Sequence, residues 1–288
     1  MDLKKINKET IREFIRTSPI LFSLGFTLLA ILVNETFSRI LRLLPDSVWM
    51  DILIELVFII WPVALVMIFG FGFIFRRRGI RATVGAALPM FLVFGFGLVL
   101  QLVFMSRDPA TEWKAPLEIF TKILMLIGVG FREEILYRGV VANAIARKYG
   151  STTKGLWITA LSSGVMFASI HLTNVFHGVS FSGMLMQTSS AIIGGVLFCA
   201  IYLRSGSILG MALLHSLNDL FPMINSTFTN AAENLSTAQM VSYYRPGLIQ
   251  IIFLAGNLLL AAFLLRKSKR QKIFDRIQQM NSSETAKC

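Results

Sequence analysis

Residues 131–139 (Phe-Arg-Glu-Glu-Ile-Leu-Tyr-Arg-Gly) place two adjacent carboxylates and a following arginine inside an otherwise apolar stretch. Apolar residues flank this segment on both sides, at 123–130 and at 140–142. Burying an ionised side chain at the centre of a membrane helix costs about 2.5–3.5 kcal/mol on insertion scales. A charge cluster in such a place is therefore a functional-site hypothesis, provided that the chain lies in a membrane.

The composition indicates a membrane protein with several spans. Hydrophobic residues make up 55% of the 288 residues and charged residues only 15%, and the mean hydropathy is +0.66. This apolar excess is typical of polytopic membrane proteins rather than of two soluble domains. Cys199 and Cys288 provide neither a disulfide framework nor a metal motif.

The formal net charge of +12 would suggest a nucleic-acid partner in a soluble protein. Here the basic residues cluster beside the apolar segments, in the N-terminal tail, at Arg76–Arg78 and in the C-terminal tail. The positive-inside rule explains this distribution better than a phosphate-binding surface does. We therefore expect the lipid bilayer, and no nucleic acid, among the partners.

The apolar segments predict about eight transmembrane helices. They lie near residues 19–33, 52–75, 86–105, 116–147, 155–171, 179–204, 206–220 and 246–265. A cleaved signal peptide is the alternative for the first segment, but no small-x-small cleavage site follows it, so we favour a retained span. The positions of the basic residues place both termini in the cytoplasm.

We therefore predict an all-α fold, a polytopic transmembrane helical bundle. Residues 1–288 would form a single integral-membrane domain. Its last part, residues 266–288, would be a basic cytoplasmic tail without a catalytic role, near anionic lipid headgroups.

Several polar side chains lie within or beside the predicted spans. They are Glu133, Glu134 and Arg138; His171; His215 with Asn218 and Asp219; and the pair Asp51 and Glu55. The chain has only three histidines, and the third, His177, falls in a predicted loop and receives no catalytic role.

Helical spacing constrains how these side chains meet. Glu134 and Arg138 are four residues apart and share a helix face, with the acid in the favourable first position. Glu133 points about 100° away from Glu134. This predicts that Glu134 pairs with Arg138 as structure, while Glu133 is free to face a cavity. His215 and Asp219 likewise share a face, as do Phe167 and His171.

A carboxylate, two imidazoles and an Asx side chain can activate water and stabilise an oxyanion. The same groups are also ligands that zinc prefers, so Zn²⁺ is the one cofactor that this set suggests. The plainer interpretations are a structural ion pair, interhelical hydrogen bonds from the histidines, and solvated acids at Asp51 and Glu55. The joint presence of the first three sets in a chain of low charge density favours one shared polar site. Asp51 and Glu55 lie near the end of a span, so we predict that they are solvated at the membrane interface.

Three segments resemble the motifs of the CAAX-protease and bacteriocin-processing (CPBP, or ABI) family of intramembrane proteases. Glu133–Arg138 fits the EExxxR motif, Phe167–His171 fits FxxxH, and His215–Asp219 fits HxxxN/D. Three motifs in the family's order, on three predicted helices, make a specific signal. The resemblance covers residues 117–221, which we take as the catalytic-motif core.

The resemblance implies an eight-helix intramembrane endopeptidase. By position, Glu133 would activate water, His171 would position that water, and His215 with Asp219 would form the oxyanion-binding side. The structural support implied for the site is Glu134, Arg138 and Phe167. The family is often described as metalloproteases, although a metal-free glutamate mechanism has also been proposed. If a metal is bound, His171 and His215 would be its ligands.

Two features of this chain complicate the resemblance. Many relatives have asparagine where this chain has Asp219, and an ionised aspartate only accepts hydrogen bonds. Asn218 would replace it if the helix were rotated or unwound there. In addition, Glu133 and His171 would lie about 20–25 Å from the cytoplasmic helix ends but His215 only about 14 Å. The seventh helix must therefore begin deeper, tilt or be re-entrant.

We expect a protease of the bacterial cytoplasmic membrane, because the compact chain without a targeting extension resembles bacterial members. Its substrate would be a membrane-associated peptide or protein, either of CAAX type or a bacteriocin or pheromone precursor, with self-immunity as a related role. Two other classes remain open: a non-catalytic immunity or scaffold protein that keeps the protease fold, and a small proton-coupled transporter. The absence of inverted repeats counts against the transporter. Sequence leaves the oligomeric state and the metal dependence open.

Overall fold

The computed structural model describes residues 8–41, 43, 47–75, 80–230 and 247–285. Among these residues the backbone is almost entirely helical, and the one pairing of extended backbone is an isolated bridge between Trp113 and Thr229. The all-α prediction is therefore confirmed for the described part of the chain. The basic cluster Arg76–Arg78 and the terminal Cys288 lie outside the described residues.

The helices follow the order of the predicted apolar segments. The first four are α1 (Lys8–Thr17), α2 (Pro19–Leu41), α3 (Val48–Ile68) and α4 (Ile80–Arg107). The middle of the chain forms α5 (Pro116–Glu134), a π-helix (Ile135–Ala142), α6 (Asn143–Tyr149), α7 (Thr153–Ser169), a 3₁₀-helix (Ile170–His177), α8 (Phe181–Ser205) and α9 (Ile208–Phe228). The last two are α10 (Leu248–Leu264) and α11 (Gln271–Thr285).

The chain is a multi-pass membrane protein. Within the described residues, four helical segments are long and apolar enough to cross a membrane, at 19–37, 80–107, 153–176 and 181–205. Two shorter apolar helices cover residues 52–68 and 250–264. Helices α5 and α9, which carry the charged and polar site residues, are not in either group. The count of eight spans and the cytoplasmic position of both termini stay predictions.

Two helix ends differ from the sequence prediction. Helix α3 ends at Ile68 rather than Phe75, because Gly70 adopts a positive φ of 77° that a continuing helix does not allow. Helix α9 continues past the predicted end at Leu220 to Phe228, with Pro222 inside it. Proline removes one backbone hydrogen bond, but membrane helices tolerate this when neighbouring groups satisfy the freed carbonyl.

The predicted long helix of residues 116–147 is helical throughout but not uniform. It passes from α5 through the π-helix Ile135–Ala142 into α6, and it ends where the Gly150 N–H donates to the Ala146 carbonyl. The glycine stop was predicted and is confirmed. The π-helix was not predicted. Such wide turns are rare and are often found at functional sites.

Close helix pairs hold the centre of the molecule. Helix α5 packs between α3 and α9, and helix α8 packs between α7 and α10. At Gly130 of α5, a Cβ atom would lie 2.7 Å from the Ser216 hydroxyl and 3.0 Å from the Ala212 carbonyl of α9. At Gly164 of α7, it would lie 2.8 Å from the Ile192 carbonyl of α8. Small residues thus bring together the helices that carry the polar side chains.

Candidate active site

The first part of the site is the buried ion pair between Glu134 and Arg138. Glu134 is the last residue of α5, and Arg138 lies within the π-helix one turn later. Glu134 Oε1 lies 3.0 Å from Arg138 Nη1, and neither side chain is exposed. The pair predicted from the four-residue spacing is confirmed.

Arg138 also ties the π-helix to two neighbouring helices. Its Nη2 donates a hydrogen bond of 3.3 Å to the Gly195 carbonyl of α8. Its guanidinium carbon lies 4.7 Å from the ring centroid of Phe167 on α7 and 5.4 Å from that of Phe198 on α8. Removing one partner of a buried ion pair typically costs about 3–5 kcal/mol, so Arg138 acts as a brace between α5, α7 and α8.

The second part of the site is His215 of α9, which meets carboxylates at both ring nitrogens. Nδ1 lies 2.8 Å from Glu134 Oε1. Nε2 lies 3.4 Å from Glu133 Oε2 and 3.6 Å from Asp219 Oδ2. Two adjacent glutamates of α5 therefore face one imidazole of α9.

This arrangement corrects the predicted division between the two glutamates. Glu134 was expected to serve only Arg138, with Glu133 alone turned towards the site. Instead, Glu134 Oε1 contacts both Arg138 and His215, because α9 packs against α5 closely enough for His215 to reach both acids. The prediction considered one helix at a time and did not include this second helix.

The group that contacts Nδ1 of His215 shows whether this nitrogen carries a hydrogen. An ionised carboxylate only accepts hydrogen bonds, so Nδ1 carries the hydrogen and donates it to Glu134. The described neighbours of Nε2 are carboxylate oxygens as well. A ring with hydrogens on both nitrogens therefore suits these surroundings best, and the positive ring would sit among three acids.

Burial divides the cluster into an inner and an outer side. The side chains of Glu134 and Arg138 are fully buried, and that of His215 is 3% exposed. Glu133 is 10% exposed and Asp219 is 24% exposed. Glu133 and Asp219 therefore form the more accessible side of the cluster, whereas Glu134 and Arg138 are closed off.

His171 lies in the 3₁₀-helix that follows α7, next to Phe167. The Phe167 ring centroid is 5.5 Å from that of His171 and 5.6 Å from that of His215, and both contacts are edge-on. The contact between Phe167 and His171 was predicted and is confirmed. His171 is also close enough to interact electrostatically with Glu133 and His215. The phenyl ring of Phe167 thus contacts the imidazoles of both His171 and His215.

Asn218 and Asp219 lie side by side on the intact helix α9. The Asn218 amide donates to Asp219 Oδ1 at 3.2 Å, while Asp219 Oδ2 faces His215. The helix is neither unwound nor interrupted at these residues. The local rearrangement that would let Asn218 take the place of Asp219 is therefore not present.

The N-terminus of α9 explains how His215 reaches the two glutamates. Ser207 and Ile208, at its start, are 3% and 1% exposed. Two residues later, a Cβ at Gly210 would lie 2.2 Å from Thr83 Oγ1 of α4. The helix therefore begins in the interior of the protein, whereas its depth in the membrane stays a prediction.

The described residues do not fit a zinc site. Among the described residues, no group of three or more His, Cys, Asp or Glu side chains is arranged to hold a metal ion. A histidine that binds zinc normally donates its other ring hydrogen to a carboxylate, as Nδ1 of His215 does to Glu134, so the fit is decided at Nε2. Nε2 faces two carboxylates that favour keeping its hydrogen, and a nitrogen that carries hydrogen has no lone pair for zinc. We therefore derive no catalytic step from a metal at His171 and His215.

Glu55 is a buried acid that the sequence interpretation placed wrongly. It was predicted to be solvated, with Asp51, at a membrane interface. Glu55 is 7% exposed, and its Oε2 lies 4.0 Å from Arg132 Nη1 of α5. The side chain of Asp51 lies outside the described residues. Arg132 lies in an apolar stretch and needs an acidic partner there. This need was the sequence signal that could have predicted the burial of Glu55.

Phe198 is a further contributor that sequence reasoning missed. Its ring centroid is 5.3 Å from that of His215 and 5.4 Å from the guanidinium carbon of Arg138. A phenylalanine in an apolar helix carries no local signal for such a role, since Phe is common on core and lipid-facing surfaces alike.

The structure is a helical membrane bundle, and its buried carboxylates meet an imidazole from a second helix. These features define the class of protein, an intramembrane protein with a buried polar site. The family model described as type II CAAX prenyl endopeptidase Rce1-like matches residues 115–221. These residues contain all three motifs, so this segment of the chain is similar to the CAAX-protease family. No curated protein matches the chain, and no solved structure does. The family indicates a CAAX-type intramembrane endopeptidase.

Proposed function

We propose that this protein hydrolyses a peptide bond of a membrane-associated peptide or protein, with Glu133 as the base that activates water. The observation that carries the proposal is the 3.4 Å separation between Glu133 Oε2 and His215 Nε2 on the accessible side of the cluster. A hydrolytic site needs a base and an oxyanion donor that both lie about 3 Å from one reacting position. The short separation supports Glu133 and His215 as these two groups.

Glu133 takes a proton from water as the water oxygen bonds to the substrate carbonyl carbon. The carbonyl oxygen becomes an oxyanion. When the tetrahedral intermediate collapses, the C–N bond breaks, and the proton held by Glu133 passes to the leaving nitrogen. General-base assistance of this kind contributes typically about 10²–10⁴-fold to a rate.

His215 would donate its Nε2–H to the oxyanion. Its orientation follows from the inner side of the site, because Nδ1 is bound to Glu134 and Glu134 is bound to Arg138. A donor held in place before reaction stabilises developing charge without reorganisation, and one such donor is worth about 10²–10³-fold in rate. Glu134 and Arg138 therefore act by positioning His215.

His171 would help to hold the attacking water. This role is supported by its edge contact with Phe167, which also contacts His215, and by its electrostatic interaction with Glu133. Asp219 Oδ2 lies 3.6 Å from His215 Nε2, beyond hydrogen-bond distance, and would interact with the ring electrostatically in the resting site. The oxyanion of the substrate would replace this long contact during reaction.

We further propose that the protein acts in a bacterial cytoplasmic membrane, on a CAAX-type protein or on a bacteriocin or pheromone precursor. The family description, a type II CAAX prenyl endopeptidase, supports cleavage close to a lipid-anchored end. Self-immunity would be a consequence of such processing.

Comparative peptidomics of membranes from wild type and the Glu133→Gln variant tests the base. Glutamine keeps the shape of the side chain but cannot take a proton, so we expect the cleaved products to fall about 10²-fold or more. Glu118→Gln is the matched control, since Glu118 is an exposed acid in the first turn of the same helix. Full cleavage by an inserted Glu133→Gln protein would contradict the proposal and favour a non-catalytic immunity or scaffold protein.

A further inference from the structure

The π-helix that carries Arg138 is held by one buried asparagine. Asn143 is 1% exposed, and its side-chain amide donates to the Gly139 carbonyl at 2.8 Å and to the Arg138 carbonyl at 3.1 Å. Asparagine is a poor residue inside a helix, because its side chain competes for backbone hydrogen bonds. Here that competition supplies donors to two carbonyls within the π-helix.

The same amide nitrogen reaches a second helix. Asn143 Nδ2 lies 2.8 Å from the hydroxyl of Tyr202 on α8. The two amide hydrogens thus serve three acceptors, and one hydrogen is shared between the two backbone carbonyls. Tyr202 lies one turn after Phe198, which packs against both His215 and Arg138. One face of α8 therefore contacts the site through Phe198 and the π-helix backbone through Tyr202.

Helix α11, near the C-terminus, packs on the same tyrosine. Arg276 Nη1 donates to the Tyr202 carbonyl at 3.0 Å, and its guanidinium lies 5.4 Å from the Tyr202 ring centroid. Ile273 and Ile277, on either side of Arg276, are 1% and 3% exposed. In addition, Arg204 Nη1 of α8 donates to the Lys269 carbonyl at 2.7 Å. These contacts dock α11 against the end of α8.

We propose that Asn143 is a positioning residue for the site, and that helix α11 keeps Asn143 in place through Tyr202. Asn143 orients the Arg138 backbone, Arg138 pairs with Glu134, and Glu134 holds Nδ1 of His215. Asn143 has no described contact with Glu133, His171 or His215, so it acts only through the π-helix. Its effect on rate rests on the proposed function, whereas its effect on His215 does not.

The test compares Asn143→Leu and Tyr202→Phe with wild type in detergent micelles. Leucine keeps the approximate size of asparagine but donates nothing, and Tyr202→Phe removes a single hydroxyl. The chain has only three histidines, so nitrogen NMR of histidine-labelled protein resolves His215, assigned with His171→Gln and His177→Gln variants. Tyr149→Phe is the matched control, since Tyr149 is a tyrosine of the same helix as Asn143 outside these contacts.

We expect both variants to shift the His215 ring nitrogen signals, and the control to leave them unchanged. With a cleaved substrate, kcat should fall about tenfold for Asn143→Leu and less for Tyr202→Phe, with KM changed by less than about twofold, since the lost contacts are hydrogen bonds remote from substrate. Asn143→Gln, which keeps the amide, should restore part of kcat. If the Asn143→Leu protein does not fold, the His215 ring nitrogen signals of Tyr202→Phe alone test the proposal.

Unchanged His215 signals in Tyr202→Phe and in any folded Asn143→Leu protein would overturn the proposal. The outcome is distinct from failure of the proposed function. If His215 shifts in these variants but Glu133→Gln still cleaves fully, the positioning role stands and the assignment of Glu133 as base fails. If Glu133→Gln loses cleavage while His215 does not shift, only the positioning role fails.

Discussion

Glu133 and Glu134 are identical side chains at adjacent positions, and their surroundings separate their roles. Glu134 is fully buried against the guanidinium of Arg138 and the imidazole of His215. Glu133 is partly accessible and approaches only the outer nitrogen of the same imidazole. A buried carboxylate is stabilised by fixed cationic partners and is poorly placed to exchange protons with water. The accessible carboxylate is therefore the better candidate base.

Asp219 is the residue at which this chain departs from many relatives, and Asp219→Asn tests its role. The amide of asparagine can donate to an oxyanion, whereas an ionised carboxylate 3.6 Å from His215 Nε2 repels it. We expect kcat/KM of the variant to equal or exceed that of wild type. Initial rates on a substrate identified by peptidomics provide the measurement. A tenfold or larger fall would show that the negative charge beside His215 is required.

At the level of residues, local spacing predicted some contacts and missed others. Glu134 with Arg138, and Phe167 with His171, are four residues apart, and a helix brings such pairs together whatever surrounds it. Glu55 was missed, because its burial depends on Arg132, a partner on another helix. A side chain at the end of an apolar segment carries no information on which neighbour covers it.

At the level of helices, the packing of α5 against α9 brings the glutamates to His215. The two helices approach closely at Gly130, three residues before Glu133, where α9 presents the Ala212 carbonyl and the Ser216 backbone nitrogen. Backbone atoms cannot move aside as the end of a flexible side chain can. The distance between these two helices is therefore set by the absence of a side chain at residue 130.

Gly130→Ala should separate α5 from α9. The new Cβ would lie 3.0 Å from the Ala212 carbonyl, so the helices must shift, and overpacking of this kind typically destabilises by about 1–3 kcal/mol. We expect a lower thermal midpoint in detergent micelles, followed by circular dichroism, together with reduced cleavage. Gly95→Ala of α4 is the control, since no atom lies within 4 Å of its Cβ position. A thermal midpoint at or above that of the control would argue against close packing at Gly130.

The π-helix shows what helix prediction from sequence leaves out. The apolar pattern of residues 116–147 correctly indicated continuous helix, and Gly150 correctly indicated its end. The pattern does not distinguish an α-turn from a π-turn here, since all of residues 135–142 are buried and leave no apolar periodicity to read. The side chain of Asn143, from within the helix itself, and Tyr202, from another helix, accompany the wider turn here.

At the level of the whole molecule, the site exists only because several helices meet. Glu133 and Glu134 come from α5, Arg138 from the π-helix, Phe167 from α7 and His215 from α9. The family match of residues 115–221 covers all five of these residues. Helix α11 lies outside that segment, yet it reaches the same network through Tyr202.

Metal removal tests the mechanism on the intact protein. Because His215 engages carboxylates at both ring nitrogens, we expect protein purified in chelator to keep Glu133-dependent cleavage. Metal content would be measured by mass spectrometry on the same sample as the rate. Loss of cleavage on chelation, with recovery on adding Zn²⁺ alone, would show that a metal takes part and that the resting arrangement of His215 must change to bind it.

The sequence by itself determined the class of the molecule and the candidate residues of the site. Composition required a membrane, the 3.6-residue period required helices and the pairs within them, and the spacing of the motifs pointed to Glu133, His171 and His215. Only the tertiary structure decided that both glutamates share His215, that Glu55 is buried, that α9 begins inside the protein and that α11 docks on α8. Local patterns follow from the geometry of one helix, whereas these contacts depend on how separate helices are rotated and how closely they approach one another.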